Sequence, residues 1–175
     1  MKAAEENQSG VGSLLLRITF GKHPKRTVVR IVVLVTVCWV VFKYVLLPIK
    51  VVGISMVPSY RHGRLNFVNR LAYRTAKPQR GDVVAIRLAG ASAALMKRIV
   101  GLPGETIAID QGVVLINGQP LSEPYVKGER ALWQEPEKKL AEDEYFVIGD
   151  NREMQQGQHD YGRANVSRIL GKVLF

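Results

Sequence analysis

The sequence predicts a single N-terminal transmembrane helix followed by a mainly-β domain. One observation is a uniform apolar run at residues 27–47, close to the roughly 20 residues that a membrane-spanning helix needs. The other is a change of pattern after residue 49, where short stretches rich in β-branched residues alternate with glycine-containing turns. A chain of 175 residues has room for about one such domain.

The apolar run has the flanks of a membrane anchor. Residues 31–42 carry no charge, while Arg30 and Lys43 stand near the ends, where long side chains reach the headgroups. Pro48 predicts the end of the helix. No small-residue cleavage site follows, as a signal peptide would require, and the uniform run fits a bilayer better than an amphipathic core helix does.

Basic residues on the N-terminal side of the run predict its orientation. By the positive-inside rule, residues 1–26 form a cytoplasmic tail, residues 27–47 the anchor, and residues 49–175 an extracytoplasmic β-rich domain. We therefore expect a single-pass protein of the inner (cytoplasmic) membrane. Residues 11–20 fit either a short amphipathic helix on anionic lipid or part of a plain tail.

Short strands are expected throughout the second part of the chain. A hairpin is predicted at residues 106–116, and Asn117-Gly118 forms a second turn. The polar stretch 123–143 predicts a surface loop that carries a short helix at residues 136–141. The other predicted strands lie at residues 65–73, 82–88, 95–100, 144–148 and 169–175.

Composition argues against a nucleic-acid partner, an intrachain disulfide and a metal site. The net charge is +10, and about half of this excess precedes residue 50. With no nucleic-acid-binding motif, we expect no nucleic-acid partner. The single cysteine, Cys38, allows no intrachain disulfide. The three histidines have no ligand spacing, so we expect no metal and no other cofactor.

Ser55 is the first candidate for chemistry. It lies in the run GISMVPS at residues 53–59, where Gly53 and Pro58 favour a fixed bend. Such a bend can expose the hydroxyl and aim the Ser55 N–H at an incoming carbonyl. The same pattern also fits an ordinary turn serine.

Lys97 is the second candidate. A serine hydroxyl needs a base, and a lysine can serve if burial lowers its pKa. In a strand, Lys97 and Arg98 point to opposite faces, so Leu95 and Ile99 can enclose the lysine. The alternative is an exposed basic pair on an edge strand.

Four motifs occur in order and together are specific. They are GISMVPS at residues 53–59, RGDVV at 80–84, KRIVGLPGE at 97–105 and GDNR at 149–152. The succession closely resembles bacterial type I signal peptidases, the membrane-anchored Ser/Lys endopeptidases, over residues 27–175. The resemblance implies their mostly β catalytic fold at the outer face of the cytoplasmic membrane, and cleavage of signal peptides with small residues at positions −1 and −3.

The resemblance also implies roles for individual residues. Ser55 would be the nucleophile, Lys97 the general base, and the Ser55 N–H part of the oxyanion hole. Gly53 stands where some members add a serine hydroxyl to that hole. The substrate would lie extended beside residues 93–96. Further expected substrate contacts are Met56, Ala94, Leu95 and Met96, and the supporting residues are Asp150, Asn151, Arg152 and Gln155.

The segment after GDNR departs from the family pattern. Gln155 stands where a serine that orients the lysine is expected, and its amide oxygen can accept a hydrogen bond from Lys97. Gly157 and His159 stand where an Asp–Arg ion pair is expected. A shifted loop would let Asp160 pair with Arg152 or Arg163 instead.

Other functions stay open on the sequence. One is a specialised peptidase that matures pilin or conjugation-system subunits; another is a non-catalytic, peptide-binding relative in a secretion complex. A triad of Ser55, His62 or His159, and Asp150 or Asp160 is a further alternative. The expected partners are preprotein signal peptides and the phospholipid membrane, with secretion or conjugation machinery as a further possibility.

Overall fold

The computed structural model describes residues 24–88 and 94–174. Most of the predicted tail, the stretch 11–20 and Ala93 lie outside these residues. The chain divides into two units, Met1–Lys43 and Tyr44–Phe175.

The apolar run is helical, as predicted. Helix α1 covers Pro24–Val40, and a π-helical turn continues it over Val41–Val45. The 21 residues of Lys25–Val45, with a mean hydropathy of 2.2, are long and apolar enough to cross a membrane. The helix ends two residues earlier than predicted, because Leu46–Lys50 forms strand β1 and pairs with β2. Pro48 is tolerated there because β1 is an edge strand.

The second unit contains a seven-stranded antiparallel sheet, formed by β1 and by β2 Leu65–Asn69, β3 Val83–Arg87, β4 Ala94–Gly101, β9 Glu144–Ile148, β10 Gly162–Asn165 and β11 Ile169–Leu174. The strand order is β1-β2-β11-β3-β4-β9-β10, so β4 is an interior strand. Lys97 lies in the middle of β4, opposite Val84 of β3.

A four-stranded sheet of order β7-β6-β5-β8 completes the fold. Its strands are β5 Thr106–Asp110, β6 Val113–Ile116, β7 Gln119–Pro120 and β8 Glu135–Lys139. The predicted hairpin is confirmed, and both central residues of its turn, Gln111 and Gly112, have positive φ. The predicted helix at 136–141 is wrong, because that segment pairs with β5 as a strand.

Among the described residues, three apolar clusters build the core and support the candidate residues. One contains Trp133, Phe146 and strands β5 and β6 of the smaller sheet. A second lies on β3, β4 and β9, on the face to which Lys97 points. The third encloses Met56 between β2, β3 and β11, so it anchors the turn that bears Ser55. The predicted fold class, an apolar helix followed by a mainly-β domain, is confirmed.

Candidate active site

The turn that carries Ser55 is fixed from both sides. The Asn151 backbone N–H donates to the Ser55 carbonyl at 3.0 Å, and the Asn151 side-chain amide donates to the Ile54 carbonyl at 3.1 Å. On the other side, the Gly53 N–H donates to His62 Nδ1 at 3.0 Å. With Met56 buried beneath it, the turn holds the Ser55 hydroxyl in one place.

Lys97 reaches that hydroxyl from β4. Its Nζ lies 3.0 Å from Ser55 Oγ, and the residue is only 2% exposed. Burial lowers the pKa of Lys97 to about 8, although the negative charge of Asp160 opposes the shift. A substantial fraction of neutral amine therefore exists at mildly basic pH, and a neutral amine can accept the serine proton.

His159 lies behind the same turn. It is 5% exposed, and its ring meets Trp133 edge-on at 4.9 Å between centroids. Gly149 separates the ring from the serine turn, and a Cβ at Gly149 would collide with the Ser55 carbonyl oxygen and His159 Nε2. Burial and the charge of Lys97 lower the pKa of His159 to about 4, so the ring is neutral at neutral pH.

A buried ion pair ties the lysine strand to the GDNR segment. Arg98 Nε donates to Asp150 Oδ1 at 2.7 Å, and Asp150 has no exposed surface. The Arg98 guanidinium also lies 4.0 Å from the centre of the Tyr125 ring. Since Arg98 and Lys97 point to opposite faces of β4, the pair sets the strand position while leaving the lysine face free of this carboxylate.

Arg152 forms a second buried ion pair, with a partner that the sequence did not suggest. It donates from Nη1 to Glu123 Oε2 at 2.9 Å and from Nε to the Gly149 carbonyl at 2.9 Å. Burial alone would raise the pKa of Glu123, but the hydrogen bonds from Arg152 and Arg130 hold it below its usual value. The predicted pairing of Asp160 with Arg152 is therefore wrong.

The expectation for Gln155 is also wrong. Its side chain is exposed, forms no hydrogen bond to Lys97 and does not line the groove at Ser55. The cause is local: Gln155 precedes a 3-10 turn at Gln156–Gln158, and the residues of this segment that line the groove with Lys97 are Met154, Gln158 and Asp160. The alternative partner for Asp160 fails too, since Arg163 lies 3.5 Å from Glu144 instead.

An open groove runs past Ser55 and Lys97. It has a volume of about 700 Å³ and is lined by all four predicted substrate contacts, Met56, Ala94, Leu95 and Met96. Much of the remaining wall is apolar, and Val52 on it is 80% exposed. Strand β4 pairs with β3 from Ala94 onward but with β9 only from Arg98 onward. The edge at residues 94–97 is therefore open on the β9 side.

The predicted Ser-His-Asp alternative does not form. His62 Nδ1 is occupied by the Gly53 N–H, and Asp150 by Arg98. Within the described residues, neither ring nitrogen of His159 forms a hydrogen bond. Within residues 24–88 and 94–174, no group of three or more His, Cys, Asp or Glu residues could hold a metal ion.

The fold and this geometry define a class: mainly-β proteins with an apolar N-terminal helix and a serine–lysine pair in a peptide-sized groove. A family model described as "Signal peptidase, peptidase S26" matches residues 25–175. The chain belongs to this family, as its four ordered motifs predicted.

Two named relatives agree with this assignment. Signal peptidase I of Leptolyngbya laminosa is 34% identical over 128 residues, covering 69% of this chain and 63% of that protein. Signal peptidase IB of Staphylococcus aureus is 26% identical over 165 residues, covering 85% and 86%. A crystal structure of a signal peptidase I from Enterococcus faecalis V583 has 28% identity and a TM-score of 0.46, covering 56% of this chain and 97% of that one. The chain spans less than two thirds of the length of the Leptolyngbya relative.

Proposed function

We propose that this protein is a membrane-anchored serine endopeptidase that uses Ser55 and Lys97 to remove signal peptides from exported preproteins. One observation carries the proposal: Lys97 Nζ lies 3.0 Å from Ser55 Oγ while the lysine is 2% exposed. Burial beside a neutral hydroxyl disfavours the charged form of a lysine. This position therefore favours the neutral amine that a general base needs.

The proposed reaction proceeds in two halves. Ser55 Oγ attacks the scissile carbonyl while the neutral Lys97 amine takes the hydroxyl proton, and the lysine then protonates the leaving amine. In the second half, Lys97 activates water to hydrolyse the ester on Ser55. Within the described residues, the Ser55 N–H has no hydrogen-bond partner and is free to stabilise the oxyanion. The Gly53 N–H donates to His62 and is not available for this role.

The substrate segment before the cut would pair with the open edge of β4. An extended peptide can add to residues 94–97 because β9 does not cover that edge. Its side chains would then point into the apolar groove, where small residues at positions −1 and −3 fit. Relatives named signal peptidase I support this class of substrate.

Lys25–Val45 would anchor the enzyme in the inner membrane. Lys25, Arg26 and Arg30 lie at its N-terminal end, which favours a cytoplasmic N-terminus and a catalytic domain on the far side. This is the side on which exported preproteins emerge. Secretion or conjugation machinery is a further proposed partner.

The test is cleavage of a preprotein with an Ala-x-Ala site by the full chain in detergent or lipid. We expect cleavage by wild type and by Ser59→Ala, a serine outside the groove, and none by Ser55→Ala or Lys97→Ala. Cleavage that survives Ser55→Ala would refute the nucleophile. Cleavage of a pilin precursor but not of general preproteins would favour the specialised peptidase, and no cleavage of either would favour the non-catalytic relative.

A further inference from the structure

A second pocket lies on the face of β4 opposite Lys97. It is an open pocket of about 570 Å³, lined by Arg98, which points away from the lysine face, and by Val83, the residue paired with Arg98 on β3. This pocket and the catalytic groove share no lining residue. It is therefore a separate site, which the proposed peptidase reaction does not use.

The lining of this pocket is basic. Arg61, Arg64 and Arg98 line it, and none of its described lining residues is acidic. Asp150 compensates the charge of Arg98 through their buried ion pair. Arg61 and Arg64 are exposed, and in the part of the chain that the structure describes neither side chain forms a hydrogen bond or an ion pair. Two positive charges are therefore uncompensated at the pocket.

The loop that carries these two arginines is held in place by backbone hydrogen bonds. The Val51 N–H donates to the Arg64 carbonyl, and the Gly63 N–H donates to the Val51 carbonyl, both at 2.9 Å. Gly63 has a φ of 82°, the left-handed conformation that favours glycine at this turn. Because the backbone is already fixed, a ligand has mainly the two arginine side chains to order, which lowers the entropy cost of binding.

A buried amide lies in the wall of the same pocket. Asn66 is 4% exposed, and its Nδ2 has no hydrogen-bond partner among the described residues. Along β2, Asn66 points to the same buried face as Val68, so its side chain does not turn to solvent. A buried donor without a partner is unfavourable, and a ligand that accepts a hydrogen bond from it removes that cost.

We propose that this pocket binds a phosphate monoester through Arg61, Arg64 and the Asn66 amide. Such a group carries a charge of about −1.5 to −2 at pH 7, which matches the two uncompensated arginines better than the single charge of a carboxylate does. Its oxygens accept several hydrogen bonds, and a guanidinium group can donate two of them in parallel. A soluble phosphorylated molecule and the headgroup of a phosphatidate lipid present the same chemistry.

The experiment is a calorimetric titration of the full chain in detergent with inorganic phosphate, against chloride at equal ionic strength. We expect Arg61→Gln/Arg64→Gln to raise the Kd about 5- to 20-fold. Arg74→Gln/Arg87→Gln removes the same charge from exposed positions outside the pocket and should leave the Kd unchanged. Asn66→Leu should raise the Kd about 10-fold without lowering the Tm measured in chloride, because it removes an unpaired buried donor.

A short-chain phosphatidate, with a phosphatidylcholine of the same chain length as its control, separates the two sources of phosphate. Binding tighter than that of inorganic phosphate, and weakened in the arginine variant, assigns the site to a lipid headgroup; binding no tighter assigns it to a soluble molecule.

Three results would overturn the inference. They are no binding of phosphate by wild type, equal weakening in the two double variants, which would reduce the effect to net charge, and unchanged binding by Asn66→Leu. Because the titration needs no cleavage, loss of the proposed peptidase function would leave this test intact.

Discussion

Replacing Lys97 with methionine should stabilise the protein while abolishing its activity. Burial lowers the pKa of Lys97 from 10.5 to about 8, and each pH unit corresponds to about 1.4 kcal/mol. At pH 7 the folded protein therefore carries an unfavourable free energy of about 3 kcal/mol for keeping this lysine charged and buried. Methionine has a similar length and no charge, so it removes this cost.

The pH dependence separates this effect from simple repacking. Because the folded pKa lies below the unfolded one, the cost is complete below about pH 8, shrinks as pH rises and is largely gone above pH 10.5. We expect thermal unfolding of the full chain in detergent to show a Tm gain of roughly 10 °C at pH 7 and a much smaller gain at pH 10. Lys139→Met, at an exposed position, is the control and should change Tm little.

Two outcomes would refute the reasoning. A Met variant no more stable than wild type at pH 7 would mean that the buried lysine carries no such cost. An equal gain at pH 7 and pH 10 would mean that apolar packing, not the charge, is the cause. Peptide cleavage by the same variant should fall at least about 100-fold, since a general base is worth that much.

Three further predictions concern the residues around the serine–lysine pair. In wild type, kcat/KM should rise with pH up to about pH 8, and Asp160→Asn should move this rise to lower pH, because the lost negative charge no longer favours the protonated lysine. Gly149→Ala should reduce kcat more than 10-fold, because its Cβ collides with the Ser55 carbonyl, while Gly157→Ala, which faces open space, should not. Arg152→Ala should lower the free energy of unfolding by about 3 to 5 kcal/mol in denaturant titrations, against less than about 1 kcal/mol for Arg163→Ala, whose ion pair is long and half-exposed.

Each of these predictions has a result that contradicts it. A profile unchanged by Asp160→Asn would mean that this carboxylate does not act on the lysine. Equal activity of the two alanine variants would mean that the close approach of Gly149 to the serine turn does not affect kcat. Equal destabilisation by the two arginine substitutions would mean that burial of the Arg152–Glu123 pair does not increase its contribution to the free energy of unfolding.

Local patterns predicted most of the fold. The hairpin at 106–116 is encoded by two β-branched runs and a two-residue turn, so no distant contact is needed to recognise it. The strands at 83–87 and 144–148 carry equally local signals. The serine and lysine were predicted as a pair because each stands in its own short motif, and in the structure Lys97 Nζ lies 3.0 Å from Ser55 Oγ.

Long-range pairing accounts for what the sequence did not reveal. Strand β1 contains a proline and β8 is mostly charged, so each becomes a strand only through its partner, β2 or β5. Glu123 is 29 residues from Arg152 and has no motif around it. The position of Asp160 depends on how the loop after Arg152 turns, because a 3-10 turn there carries Gln155 away from the lysine.

The arrangement of charges explains why the pKa of Lys97 can stay low. Asp150 and Glu123 are buried carboxylates of the same domain, and a free carboxylate beside the lysine would favour its protonated form. Both are instead bound to arginines, and the charge that opposes the shift of Lys97 is that of Asp160. His159, neutral because of its burial, fills the space behind the serine turn without adding charge. The two buried ion pairs thus hold the GDNR segment in place, and the carboxylate that acts on the pKa of Lys97 is that of Asp160.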